Sequence, residues 1–163
     1  LSIDAPNIMF EYMRSAGIFT WEQMSKLIDD LTHFKKQNSS WFHMCFNASI
    51  QAYNYDTVLE FDSVCRKAGA LNNTRMLIFP EHFRLNVLPY KYRKAQFDII
   101  KDYEVINDPR FKRTHSDICK NMLQKQASEE IVKKFKQYTI AQDEYRDMSI
   151  KDYHPQLAEF VYE

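Results

Sequence analysis

The chain has 163 residues, of which 45% are apolar and 15% aromatic, and this composition is typical of one folded domain rather than a disordered segment. Its 22 basic and 22 acidic residues cancel, which argues against a nucleic-acid binder that depends on excess positive charge. Only two glycines are present, which argues against a glycine-rich phosphate-binding loop, and no apolar run is long enough to cross a membrane.

Two helices are predicted at the start of the chain. Pro6 lies near the first turn of a helix that is expected to end at Gly17. Its predicted buried side consists of Ile8, Met9, Tyr12, Met13 and Ala16. Thr20 is a favourable N-cap for the second helix, whose apolar residues recur with helical spacing: Trp21, Met24, Leu27, Ile28, Leu31 and Phe34. A polar break over residues 35–40 follows.

The stretch 41–73 predicts a helical hairpin around which the chain is organised. Its first helix, roughly Ser40 to Ala52, has apolar residues on two faces: Trp41, Cys45, Ala48 and Ala52 on one, and Phe42, Phe46, Ile50 and Tyr53 on the other. Asp56 is placed to cap the second helix, Asp62 is expected to face water, and Gly69 ends the helix. A helix that needs cover on two sides favours neighbouring hairpins, as in helical repeat proteins. The predicted core includes Trp21, Phe46 and Leu59.

The second half is predicted to be helical as well. Its elements are a short helix over 74–79, a helix from Tyr90 to about Val105 that ends at 107–109, a helix capped by Thr114 or Ser116, and a long helix capped by Ser128. The stripe of the last helix is Ile131, Phe135, Tyr138, Gln142 and Tyr145. With no strand alternation recognised, the predicted fold class is all-α, with about seven or eight helices in antiparallel hairpins. Residues 1–150 form the predicted domain and 151–163 a tail.

Two segments resemble the pentatricopeptide repeat, a helical hairpin of about 35 residues. NIMFEYMRSAG at 7–17 resembles the second helix of such a repeat, and 47–69 resembles one hairpin. The resemblance implies that RNA bases would be read at two positions, which align with Ala48 and Asn73. Because the Ala48 side chain cannot hydrogen-bond a base, we expect little or no base reading.

The segments 7–17 and 55–69 (YDTVLEFDSVCRKAG) are also similar to the extra pentatricopeptide-like subunit of the euglenozoan, trypanosome-type mitochondrial ATP synthase. That resemblance implies a non-catalytic structural subunit in the mitochondrial matrix, bound to the α subunit of the F1 head. The start at Leu1 would fit removal of a targeting segment, or simply a boundary of the sequence. The alternative function is a mitochondrial RNA-binding protein of pentatricopeptide type.

The residues suggest no catalytic, cofactor or metal site. Cys45, Cys65 and Cys119 are expected to be free thiols, since they are odd in number and lie on apolar stripes. The five histidines form no metal-binding spacing, and no nucleophile has a recognisable paired base. Residues 90–94, YKYRK, fit either base stacking with phosphate contacts or an ordinary packed helix start.

The charge is unevenly distributed, which draws attention to the tail. Residues 84–136 hold thirteen basic and seven acidic residues, whereas 137–163 hold two basic and six acidic ones. The tail also carries Tyr153, Phe160 and Tyr162, and aromatic residues are favoured in interface cores. These three residues are candidate partner contacts, and docking of the tail on the chain's own basic middle is the alternative.

Overall fold

The computed structural model describes residues 1–15, 18–38, 40–103 and 109–163, and over these ranges it contains eight helices and two strands. In chain order these are α1 (Ile8–Phe10), α2 (Trp21–Gln37), β1 (Cys45–Ile50), α3 (Val58–Ala68), β2 (Leu71–Met76), α4 (Tyr90–Ile100), α5 (Pro109–Met122), α6 (Glu129–Arg146), α7 (Ile150–Tyr153) and α8 (Pro155–Tyr162). A π-helical turn, Glu11–Ser15, follows α1, and two 3-10 turns, Glu81–Phe83 and Leu85–Val87, precede α4.

The two strands form a parallel sheet with α3 as the connection between them. The register pairs Cys45 with Leu71 and continues to Ile50 and Met76. Parallel strands need such a crossover because the chain must return to the same end of the sheet. On its other side β1 meets the start of the chain, where the Ile3 amide donates to Asn47 O at 3.0 Å and the Asn47 amide donates to Leu1 O at 2.8 Å. Strand β1 is therefore bonded along both edges.

The all-α prediction is wrong at this sheet, although most described residues are helical. The helix predicted from Ser40 to Ala52 is strand β1, and the helix predicted at 74–79 is replaced by the end of β2 and an irregular segment. In β1 burial alternates, with Phe46, Ala48 and Ile50 buried and Cys45, Asn47 and Ser49 only partly covered. The two predicted helical faces, taken together, also place apolar residues at every second position, Phe46, Ala48 and Ile50. This short run therefore fitted the period of a strand as well as that of a helix.

Several local signals in the first half are confirmed. Thr20 forms a capping box with Gln23: its Oγ1 accepts from the Gln23 amide at 3.2 Å, and Gln23 Oε1 accepts from the Thr20 amide at 2.9 Å. Gly69 ends α3 in the left-handed region, with φ of 61°. These features depend on a few neighbouring residues, which is why the sequence predicted them.

Two acidic residues near α3 depart from the prediction. The residue before α3 is Thr57, and Asp56 instead places its Oδ2 3.1 Å from His154 Nε2. Asp62 does not face water but is 5% exposed, and it accepts hydrogen bonds from Asn72 Nδ2 at 2.9 Å and Tyr103 Oη at 2.7 Å. Asp62 Oδ2 also lies 3.1 Å from Arg66 Nε on the same helix. Both carboxylates therefore have a partner distant in sequence, His154 for Asp56 and Tyr103 for Asp62, which helix periodicity does not take into account.

Helix boundaries in the second half are partly as predicted. Helix α4 begins at Tyr90 and α6 directly after Ser128, as expected, although the Ser128 side chain makes no capping hydrogen bond. Helix α5 begins at Pro109, so Thr114 and Ser116 lie inside it and do not cap it. Proline is favourable at a first helical position because it has no amide hydrogen to leave unpaired. Helix α4 ends at Ile100 and does not reach Val105 or the end predicted at 107–109, whereas the helix end predicted at Gly17 lies outside the described residues.

One core joins the sheet to the helices. Phe46 is fully buried as predicted, whereas Trp21 and Leu59 are only partly buried against the core. Helix α6 turns Phe135, Thr139 and Asp143 inward, so Tyr138 and Tyr145 of the predicted stripe are exposed. Residues 151–163 belong to α7 and α8, and α8 packs on α6 with Leu157, Ala158, Phe160 and Val161 buried.

Candidate protein-binding surface

Exposed aromatic side chains lie along the outer face of α6. Tyr138 is 48% exposed and Tyr145, two turns further on, is 91% exposed. Residues seven apart share one face of a helix, so both rings project on the same side. Phe79, which is 81% exposed, and His82 lie beside the start of this face. We call Phe79, His82, Tyr138 and Tyr145 the α6 strip.

Tyr138, in the middle of the α6 strip, is fixed in position by contacts between aromatic rings that continue into the core. The His82 ring centroid is 5.5 Å from that of Tyr138 and 4.3 Å from that of Phe83. Phe83 meets the Tyr138 ring edge-on at 4.9 Å and lies 5.7 Å from Tyr53, which is buried. Edge-to-face pairs of this kind stabilise a fixed ring arrangement. Tyr138 is therefore both exposed and positioned.

Two clefts flank the positioned ring. One, of about 400 Å³, lies between residues 79–82 and the α6 side chains Ile131 and Lys134. The other, of about 280 Å³, is lined by Tyr138, Ala141, Gln142, Tyr145 and Arg146. Clefts between exposed aromatic rings accept apolar anchor side chains of a protein partner.

The α6 strip carries little net charge. The Lys134 ammonium lies 2.9 Å from Glu130 Oε1, and this contact lowers the pKa of the Glu130 carboxyl. Burial, and secondarily the positive charge of Lys134, lower the pKa of His82, so its ring is neutral at pH 7. A neutral aromatic surface with compensated charges at its rim is typical of a protein–protein contact.

The three site residues predicted from the tail lie around α6 rather than together on the surface. Phe160 is 7% exposed and stacks on Phe135 with centroids 6.3 Å apart. Tyr153 is half-buried, 5.4 Å from the Tyr12 ring. Tyr162 is 42% exposed, and its hydroxyl donates to Asp143 Oδ2 at 2.7 Å. The side chains of Phe160 and Tyr153 thus pack within the chain itself.

Asp143 organises this part of the molecule. Its carboxylate also accepts from the Tyr12 hydroxyl at 2.8 Å and from the Ile150 amide at 2.8 Å. Burial raises the pKa of Tyr12, and the hydrogen bond to Asp143 raises it further, since the neutral phenol is the donor. The arrangement is a structural link between α6, the C-terminal helices and the first residues of the chain.

The thiol–imidazole pair in α5 is not arranged for nucleophilic chemistry. Cys119 Sγ is 3.9 Å from His115 Nε2, but that nitrogen lies 2.8 Å from Ile100 O and must donate its proton there. It is therefore not free to accept a proton from the thiol. Burial also raises the pKa of Cys119, which disfavours the reactive thiolate. Among the described residues, no three His, Cys, Asp or Glu side chains gather where they could hold a metal ion.

The positions considered for RNA contacts are largely engaged within the chain. Ala48 is 2% exposed, and the Asn73 side-chain amide nitrogen, Nδ2, donates to Asn47 Oδ1. In the segment 90–94, Tyr92 is buried and Arg93 is fully buried, donating to the carbonyls of Leu88, Met122 and Gln124. The packed interpretation of that segment therefore holds for Tyr92 and Arg93.

Sequence reasoning missed the α6 strip. The predicted stripe of this helix contains Tyr138 and Tyr145, whereas the structure buries Thr139 and Asp143. No signal in the sequence pointed to Phe79, which the prediction placed in a short helix over 74–79.

Comparisons with known proteins found no match for the chain among family models, curated proteins or solved structures. Within the described part of the chain, no helix has the length and apolar character needed to cross a membrane.

Proposed function

We propose that this chain is a non-catalytic subunit that binds another protein through the α6 strip. The observation that carries the proposal is the combination of high exposure and fixed position: Phe79 and Tyr145 project into solvent on either side of a Tyr138 ring held by Phe83. Exposed aromatic side chains that cluster beside clefts mark interaction sites.

For the partner we propose the α subunit of the F1 head of mitochondrial ATP synthase, in the matrix. The support is the resemblance of 7–17 and 55–69 to the extra subunit of the euglenozoan enzyme. The second of these segments includes helix α3 and its stop at Gly69, which match the second helix of a repeat hairpin. The first helix of that hairpin would fall on strand β1, so residues 47–53 lend the proposal no support.

The alternative is a pentatricopeptide-type RNA-binding protein. The burial of Ala48 and the bond between Asn73 and Asn47 count against base reading at the two aligned positions. A filter-binding titration with mixed single-stranded RNA tests this alternative. Submicromolar binding that weakens steeply with added salt would favour it.

Co-purification tests the main proposal. A tagged chain isolated from mitochondria of its native source should retain the F1 α subunit, and the double variant Phe79→Ala, Tyr145→Ala should recover about tenfold less, since both candidate anchors are lost. Tyr90→Ala removes an aromatic that is 51% exposed on α4, away from the strip, and serves as the matched control.

The outcomes separate the two parts of the proposal. Loss of some other protein in the double variant would support binding through the α6 strip and refute the F1 assignment. Equal recovery of every co-purifying protein with the wild-type chain and the double variant would refute the α6 strip itself.

A further inference from the structure

A second recessed surface lies between the end of β2 and helix α5. This cleft has a volume of about 540 Å³. Arg75, Met76 and Ile78 line it from the strand side, Asp117 and Asn121 line it from α5, and Gln124 lines it from just beyond the end of that helix. The α5 residues are spaced so that they face one way along the helix. We call it the β2–α5 cleft, and it is separate from the α6 strip.

The floor of the β2–α5 cleft includes one open position, Met76, on the edge of β2. The Leu77 amide donates to Ile50 O at 3.0 Å, so alternate residues of β2 bond to β1 and the others face away from it. At Thr74 the outward edge is closed, because its carbonyl accepts from Thr114 Oγ1 at 3.1 Å and its amide donates to Asn72 Oδ1 at 3.1 Å. Beyond the strand the Ile78 carbonyl is also engaged, because it accepts from Arg84 Nε at 2.6 Å. Between these two positions, no described residue bonds to the outward amide and carbonyl of Met76. An open edge of this kind pairs with an added extended chain.

The charge of the β2–α5 cleft favours a negatively charged occupant. The Arg75 guanidinium makes no hydrogen bond or ion pair with any other residue in the described ranges. The other charged groups at the cleft have opposite charges near them: Arg84 lies 3.4 Å from Glu81, and Asp117 lies 3.9 Å from Lys120. Arginine prefers carboxylates because its planar donors match the two carboxylate oxygens.

We infer that the β2–α5 cleft binds an extended, acidic segment of a partner protein. The main chain of that segment pairs with the open edge at Met76, and an aspartate or glutamate side chain reaches Arg75. The side-chain amides of Asn121 and Gln124 also line the cleft and can bond the remaining main-chain groups of the segment, Asn121 through its Oδ1, because its Nδ2 already donates to Asp117 O at 2.8 Å. Helix α5 itself has four basic residues and one acidic residue, and this excess attracts the acidic segment to the helix.

Titration of the full-length, isotope-labelled chain with the peptide acetyl-Val-Glu-Val-Glu-Val-amide tests the inference by NMR. Amide signals of residues 75–78 and 117–124 are expected to shift at millimolar peptide, and signals from α6 are expected to stay unchanged. Replacing both glutamates by glutamine should weaken binding by about fivefold, the effect of losing one solvent-exposed ion pair.

Two matched changes distinguish the β2–α5 cleft from general attraction to a basic surface. Arg75→Gln should weaken binding about as much as the glutamine peptide, whereas Lys133→Gln, which removes an equal charge from an exposed site on α6, should not. A peptide that is N-methylated at all five residues keeps no residue N–H with which to donate to the strand edge, and it should also bind more weakly, without any change to the protein.

The inference is overturned by any of three results. In the first, no amide signal shifts at millimolar peptide. In the second, signals shift elsewhere while those of residues 75–78 stay unchanged. In the third, the affinity for the peptide is changed neither by Arg75→Gln nor by N-methylation. If a short oligouridine binds the β2–α5 cleft more tightly than the peptide does, the inference is also overturned, and RNA becomes the proposed occupant. None of these results bears on the α6 strip, because its test uses Phe79 and Tyr145.

Discussion

Truncation of Phe46 to alanine tests the placement of β1 at the centre of the sheet. Phe46 is fully buried, and its strand is bonded to β2 on one edge and to residues 1–3 on the other. Collapse around the lost ring is therefore restricted, and the expected loss is about 3–5 kcal/mol in the free energy of unfolding. Since a domain has only about 5–15 kcal/mol of stability, the variant should lose a large share of it.

Urea denaturation followed by circular dichroism measures the loss, and a thermal melt should show a midpoint lower by about 6–20 °C. Phe79→Ala is the matched control, because it deletes the same ring from a position that is 81% exposed and should change stability by no more than about 0.5 kcal/mol. If both variants unfold at the same urea concentration, the reasoning that places Phe46 inside a central strand is refuted.

Two further stability predictions concern backbone conformation and protonation. Gly69→Ala should cost about 1–2 kcal/mol by urea denaturation, because φ is 61° and the new Cβ would lie 3.1 Å from Lys35 Nζ; unchanged stability would contradict the left-handed end of α3. For His82, whose pKa is lowered by burial and by Lys134, the unfolded chain binds the proton more readily, so stability should fall as the pH drops below about 6.5. His82→Asn should flatten thermal midpoints between pH 7 and 5, and an identical pH profile for both proteins would show that His82 does not titrate differently on folding.

The sequence predicted the features that a few neighbouring residues decide. The capping box of Thr20 with Gln23 depends on local hydrogen bonding, and the helix end at Gly69 depends on backbone freedom. Strand β1 could not be predicted in this way, since Asn47 is bonded by residues 1–3, more than forty positions away. The core face of α6 was missed for a related reason: Asp143 is buried only because Tyr12, Ile150 and Tyr162 supply its hydrogen bonds.

The same limit applies to the candidate sites. The sequence singled out Tyr153, Phe160 and Tyr162 by composition, but whether an aromatic side chain is inside or outside depends on which helix packs against it. Phe160 meets Phe135, whereas Tyr145, on the same helix as Phe135, meets solvent. The β2–α5 cleft was equally hidden, because Arg75 and Asn121 come together only when α5 lies along β2.

The hydrogen bond between Tyr12 and Asp143 has a consequence for synthesis of the chain on the ribosome. It joins residues 131 positions apart, and the same region of the core includes Phe135 and Phe160. Because a chain emerges from its N-terminal end, Tyr12 and Tyr53 leave the ribosome long before the helices that cover them. Tyr53 meets Phe135 and Thr139 of α6, and Tyr12 meets Asp143 of α6 and Tyr153 of α7, so these rings stay partly uncovered until those helices have been made. We expect the nascent chain to be most prone to association with its neighbours over that interval.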